Sequence, residues 1–353
     1  MPILAGTQGF RMWAALTLVL GVARRHEHGM HEGARGAPTA EFNWVDQSWM
    51  MAKPAEPDVF AFAGATTSAR RPRLVITMSE GTRPWFTAIT RERIQGYANR
   101  TRADYRVIKP SDIRVPEVVV TAWTNHLIGA RSADKNIRNN TAYVVKMLAV
   151  SQALAFYDRV LWLDDSVYPS KHAADIFDEC DGESAVCAYS EGASHRAVEG
   201  TTYNATRDFL LDLDRHKPTT CAPADYLNTG VTVYAQSALP LLTPAALAAG
   251  MPYFGVFLAV EQCYLCVMLS QSTLRRQLLS HKWNHVPYLD YGDLSPADPD
   301  SILGGQAVVG QASQITVSPS LATQGIHIFH VTHYISRSFE RELVIEQLRD
   351  LDV

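Results

Sequence analysis

Two hydrophobic regimes alternate along the chain from residue 74 onward. Leu74 to Met78 (LVITM) is an unbroken run that ends in the turn residues Ser79-Glu80-Gly81, the pattern of a buried strand. A helical stretch over 84–98 follows, and Asp104 to Lys109 then alternates as a second strand. Strand, helix and strand within about 35 residues predict a βαβ unit, hence a parallel pair joined by a right-handed crossover.

Thr141 to Phe156 reads as a helix with Asn140 or Thr141 as its N-cap and an apolar stripe of Val144, Met147, Leu148, Ser151, Leu154 and Ala155. Lys146 falls outside that stripe and is expected to face water or a ligand crevice. The helix feeds the segment YDRVLWLDDSVY, Tyr157 to Tyr168, in which the strand-like Val160 to Leu163 stops at Asp164, Asp165 and Ser166. Ligands of open α/β sheets sit at the carboxyl ends of strands. Two acids there suit a divalent cation carrying a phosphorylated ligand, and equally suit a capping turn.

Beyond this point the pattern predicts a helix over His172–Cys180, a strand over Ala185–Tyr189 and a polar segment over 191–225. A strand over Tyr226–Tyr234 is then built around an Asn-Thr-Gly turn, and helices follow over 237–249 and 256–271. Trp283-Asn284-His285 opens a long aperiodic region. His327, His330 and His333 recur at spacing three on a strand-like stretch, so they cannot all face one ion without a bend. A terminal helix over 338–351 closes the chain.

Composition adjusts this picture in three places. A net charge of −4 over 353 residues offers no basic field for nucleic acid. The five cysteines are too few for a disulfide scaffold, and Cys263-x-x-Cys266, set among apolar neighbours, reads as core thiols or one structural bridge rather than a metal site. Met12 to Ala23 is an uncharged apolar run; as a helix it would span about 18 Å, short of a hydrocarbon core of about 30 Å. Residues 1–25 are therefore read as a signal peptide or a short signal-anchor, with membrane association through the N-terminus in the second case. Residues 26–72 read as a Gly-, Ala- and Pro-rich stem and 73–353 as the folded domain. Three sequons, at Asn99, Asn139 and Asn204, agree weakly with the ER or Golgi lumen.

Taken in order, the pieces resemble the GT-A glycosyltransferases, especially the nucleotide-diphospho-sugar transferases related to glycosyltransferase families 8 and 34. The resemblance is carried by Thr77 in the first strand, Lys146 in YVVKMLAVSQAL, the strand YDRVLWLDDS, Tyr226-Leu-Asn228-Thr-Gly230-Val, Glu261-Gln262, Lys282-Trp283-Asn284 and the His327–His333 segment. It implies an α/β GT-A fold, a Rossmann-like, mostly parallel sheet flanked by helices in one domain. The implied reaction moves a sugar from a nucleoside diphosphate sugar, a UDP-sugar in the first instance, to a hydroxyl of a glycan or glycoprotein.

The resemblance also implies roles. Thr77, Lys146, Asp164 and Asp165 would bind the nucleotide-sugar, and Asn228, Gln262, Trp283 and Asn284 would lie near the sugar or acceptor. Glu261 would be the base of an inverting reaction. A divalent cation, Mn2+ by expectation, would be held among Asp164, Asp165, Ser166 and His330. The departure is Ser166, which stands where the family has its second acid. It leaves open a rotated turn with Asp165 as ligand, a weaker site, or chemistry that relies on Lys146. Ser166 also keeps in view a silent relative that binds without transfer; a nucleotidyltransferase is a further alternative, with Ser79-Glu80-Gly81-Thr82 a poor nucleotide loop.

Overall fold

The computed structural model describes residues 71–79, 86–129, 141–190, 221, 225–254, 260–285, 325–331 and 338–351. The chain divides into two units, Met1–Trp44 and Val45–Val353. The first unit, with the expected leader and most of the stem, lies outside the described residues. So does most of the polar segment 191–225.

Eight strands are described: β1 Arg71–Met78, β2 Asp104–Ile108, β3 Tyr157–Leu163, β4 Val167–Pro169, β5 Val186–Ser190, β6 Leu227–Ala235, β7 Arg276–Leu279 and β8 Ile328–His330. The helices are α1 Phe86–Arg100, α2 Glu117–Gly129, α3 Thr141–Ala153, α4 Ile176–Glu179, α5 Leu239–Leu242, α6 Pro244–Ala249, α7 Val260–Ser270 and α8 Ser338–Asp350. Six strands form one sheet in the order β2-β1-β3-β6-β5-β7. β1 runs parallel to β2 and β3, β6 runs antiparallel to β3 and β5, and β7 is parallel to β5. The expected mostly parallel α/β sheet is therefore present, and β1-α1-β2 is the expected βαβ unit.

Continuous apolar runs make sense because both faces of this sheet are covered. Leu74 and Ile76 of β1, Val160 and Trp162 of β3, and Tyr234 of β6 pack with α2, α3, α5, α6 and α7. Val75, Leu161, Leu163, Val231 and Val233 point the other way, onto α1 and α4. A second, two-stranded ribbon pairs β4 with β8 antiparallel, His330 opposite Val167. Backbone bonds from His327 N to Lys282 O, His285 N to Ile328 O and His330 N to His285 O fasten the 282–285 turn alongside β8.

Several elements depart from the sequence reading for local reasons. The helix expected over 172–180 shrinks to α4, whose start is fixed by Asp175, in an extended conformation and accepting from Phe177 N. The helix expected over 237–249 is broken in two: Thr243, also extended, caps α6 by accepting from Ala246 N, with Pro244 opening it. Asn228-Thr229-Gly230 is not a turn but part of β6, and its register with β5 shifts there: Ala188 lies opposite Thr232 and the next residue, Tyr189, opposite Asn228, so the extra residues lie on β6. Two bridges form rather than one, Cys180–Cys187 and Cys221–Cys266, while Cys263 is a buried thiol outside both.

Tyr97 joins α1 to the approach of α4. Its hydroxyl donates to Ala174 O at 2.8 Å and accepts from Ile176 N at 2.9 Å. Tyr97→Phe keeps the ring and leaves the buried Ile176 N–H without its partner, along with the part-buried Ala174 carbonyl, so urea unfolding should show a loss of about 1–3 kcal/mol. An unchanged midpoint would mean that water replaces the hydroxyl at no cost.

Candidate active site

The site begins where β3 ends. The chain runs from β1 out to β2 on one side and returns to β3 on the other, so the carboxyl ends of β1 and β3 flank a topological switch point. Alternation carries Asp164 to the same face as Trp162, whose indole N–H donates to Asp164 Oδ1 at 2.6 Å. Asp164 N is held by Gly230 O at 2.9 Å, which ties the turn to β6.

Lys146 lies on the face of α3 turned toward this point and is 2% exposed, contrary to the expectation of water. The stripe read from sequence was too narrow: Val144, Val145, Met147, Ala149 and Val150 are all buried, because α3 is covered by the sheet and by other helices. Its ammonium meets Asp164 Oδ1 at 3.2 Å, Thr229 O at 2.8 Å and Glu261 Oε1 at 2.8 Å. An ammonium has three donors, and these three acceptors use them, so none is left for a ligand phosphate. The charge also stands 5.2 Å from the Trp162 ring centroid.

Electrostatics hold this group in its ionised form. Burial pulls the Lys146 pKa down, and the Asp164 and Glu261 carboxylates more than reverse it, leaving it raised. Burial pushes the Asp164 carboxyl up, and Lys146, His330 and the Trp162 N–H outweigh it, leaving it lowered. Glu261 is buried as deeply as Lys146: Oε1 accepts from Lys146 and from the Thr229 hydroxyl, while Oε2 is buried with no partner. A carboxylate 2% exposed and engaged in this way is turned into the interior rather than to solvent.

His330 arrives from β8. Its Nε2 lies 3.7 Å from Asp164 Oδ2, and a third of the Asp164 side chain still reaches solvent. Its Nδ1 lies 2.9 Å from Asn284 Oδ1, Asn284 Nδ2 donates to Asn228 Oδ1 at 2.8 Å, and Gly230 N donates to the same oxygen at 2.9 Å. The ring rests directly on Gly230: a Cβ there would come within 1.9 Å of His330 Cε1.

Lys146, Asp164, Asn228, Glu261, Asn284 and His330 thus form one connected cluster. Gln262 touches it through Oε1, which accepts from Thr229 N at 3.4 Å. Thr77 does not join it; alternation along β1 places it with Val75 on the α1 face, and its buried hydroxyl has no partner. Trp283 is buried and packs on the His327 ring at 4.3 Å, so His327 and His330 part company as the spacing required. His333 lies outside the described residues. Asp165 is partly exposed and its carbonyl accepts from Thr90, while Ser166 is buried. Among the described residues no three His, Cys, Asp or Glu side chains gather as a ligand set. Sequence reasoning missed Trp162 and Gly230; period-two alternation from Asp164 would have found the first.

No family model matches the chain, and neither does any curated protein. Solved structures similar to it include a glycosyltransferase involved in the glycosylation of the major capsid of PBCV-1, at 12% identity and TM-score 0.42, over 78% of this chain and 99% of that one. Mouse xyloside xylosyltransferase 1 in its apo form is similar at 11% identity and TM-score 0.41, over 74% and 97%. The galactosyltransferase LgtC, in complex with donor and acceptor sugar analogs, is similar at 12% identity and TM-score 0.45, over 79% and 95%. At this distance the likeness bears on the chain trace and not on substrate or residues.

Lys146→Met should be among the most damaging single changes, because it strips the buried Glu261 carboxylate, and the part-exposed Asp164, of their shared counter-charge. A loss of about 3–5 kcal/mol is expected on denaturant unfolding. Adding Glu261→Gln should restore part of it, so that the double variant is more stable than the sum of the single losses predicts. Strict additivity would show that the ion cluster is not a unit.

Proposed function

We propose that the protein is a glycosyltransferase that moves a sugar from a nucleoside diphosphate sugar to a hydroxyl of a glycan or glycoprotein. The observation that carries this reading is the meeting of Asp164, at the switch point of the sheet, with His330 from a strand late in the chain. Asp164 Oδ2 and His330 Nε2, 3.7 Å apart, offer one carboxylate oxygen and one imidazole nitrogen. That donor set suits Mn2+ shared with substrate phosphate oxygens, and it is too small to hold an ion without them. The buried cluster behind it also favours a cation, since two carboxylates face one ammonium.

When bound, the cation would supply positive charge to the departing diphosphate. The residues of the chain do the rest. Lys146 keeps Asp164 ionised and fixed, and Trp162 orients the Oδ1 edge so that Oδ2 faces the open side. Glu261 completes the counter-charge of Lys146. With Glu261 buried, no carboxylate base is supplied from α7, which favours a reaction that retains the configuration of the donor sugar. A UDP-sugar is the first donor to try. The two disulfides, together with the N-terminal apolar run, favour a lumenal setting in the secretory pathway.

Ser166 favours a second reading, a protein that binds the sugar nucleotide without turning it over. One experiment separates the two. A screen of sugar nucleotides with and without Mn2+, reading both melting temperature and released diphosphate, should show stabilisation of about 2.7 kcal/mol at 100 times the dissociation constant, with release. Stabilisation without release would establish the binding protein. No response to any nucleotide diphosphate would end both readings. Asp164→Asn should abolish the Mn2+-dependent part of the shift.

Ser166→Asp tests the turn itself. If Asp164 is the anchoring ligand, the added carboxylate should tighten Mn2+ in a calorimetric titration with saturating UDP present. Unchanged affinity would place the second ligand elsewhere, with Asp165 the next to replace.

A further inference from the structure

Three groups that never touch the open side of the site decide how His330 meets it. Amide oxygen and nitrogen are interchangeable by shape alone, so the orientation of Asn228 and Asn284 has to be read from their partners. Here the series starts at a group that cannot be reversed. Gly230 N–H is a backbone donor, so the Asn228 atom 2.9 Å away is an acceptor, Oδ1. The Asn284 atom 2.8 Å from that oxygen must then donate, which makes it Nδ2. The remaining Asn284 atom is Oδ1, an acceptor only, and it lies 2.9 Å from His330 Nδ1. Nδ1 therefore carries a proton.

We infer that Gly230, Asn228 and Asn284 are positioning residues that fix His330 as its Nδ1–H form and leave Nε2 as the nitrogen turned toward Asp164. The assignment rests on the cation reading of the site for its purpose, and on hydrogen-bond geometry alone for its substance. All the members are deeply buried, with Asn284 1%, Asn228 4% and His330 4% exposed, so solvent does not compete for the bonds. Gly230 contributes twice, since its N–H starts the series and its missing Cβ is the space the imidazole fills. Partners of this kind fix the tautomer and orientation of a ligating histidine, and their loss costs about 10–100-fold in metal affinity.

The test uses metal-free full-length protein labelled with 15N-histidine, with His330→Gln to assign the resonances. The two-bond proton–nitrogen spectrum should show His330 protonated at Nδ1. In Asn228→Leu the Asn284 amide loses its fixed acceptor and is free to turn its NH2 toward the ring, so His330 should move to the Nε2–H form. Mn2+ affinity, measured by calorimetry with saturating UDP present, should fall about 10–100-fold in the same variant. Asn228→Asp keeps an acceptor for both Gly230 N–H and Asn284 Nδ2, and should retain the wild-type tautomer and affinity even if it melts lower.

An Nε2–H signal in the wild type, or a tautomer indifferent to Asn228→Leu, would overturn the assignment. If the wild type shows Nδ1–H but binds no Mn2+ with UDP present, the cation reading of the site falls and the relay stands.

Discussion

A single buried ammonium sets the terms for the rest of the site. Taking a lysine out of water costs several kcal/mol unless its charge and all its donors are met, and mutual attraction repays this only with good geometry. Lys146 meets the condition with acceptors from three separate places: the turn after β3, the backbone of β6 and the first turn of α7. Each of those elements is thereby held at a fixed distance from α3. The cation contributes less to net stability than its contacts suggest, since a hydrophobic replacement of the whole cluster could match it. What it confers is position, because its three donors draw on three separate elements at once.

The sheet supplies the other half of the positioning. Because β1, β3, β5 and β6 are covered on both faces, they cannot slip register without turning a layer of apolar side chains the wrong way. Asp164 and Gly230 therefore stand at fixed heights on neighbouring strands, joined by one backbone bond. The 282–285 turn and β8 are fastened to each other by three backbone bonds, and this brings Asn284 and His330 to the same level.

Much of this was legible in the sequence, and the misses have a common cause. The βαβ opening, the strand before Asp164 and the parting of His327 from His330 follow from periodicity, which is a property of short stretches. Lys146 was misplaced because one apolar stripe implies one buried face, whereas α3 is enclosed from more than one side, a fact that belongs to its neighbours. Gly230 looked like a turn glycine beside Asn228 and Thr229; its use is the close approach of an imidazole that comes from a hundred residues downstream in sequence and that no local pattern announces. Glu261 was found but its burial was not, since an acid near a site is read as exposed until its surroundings are known.

The ribbon of β4 and β8 carries a consequence for how the protein is made. Asp164 and the sheet beneath it can assemble from residues that leave the ribosome early, but His330 and its strand emerge only after the 282–285 turn they pair with. The carboxylate therefore lacks the imidazole until residues 328–330 have been added, about fifty residues after β7 completes the sheet. Non-local pairings of this kind close last and slowly. The pairing of carboxylate with imidazole is thus absent from any chain that stops before β8 and comes with the docking of three residues.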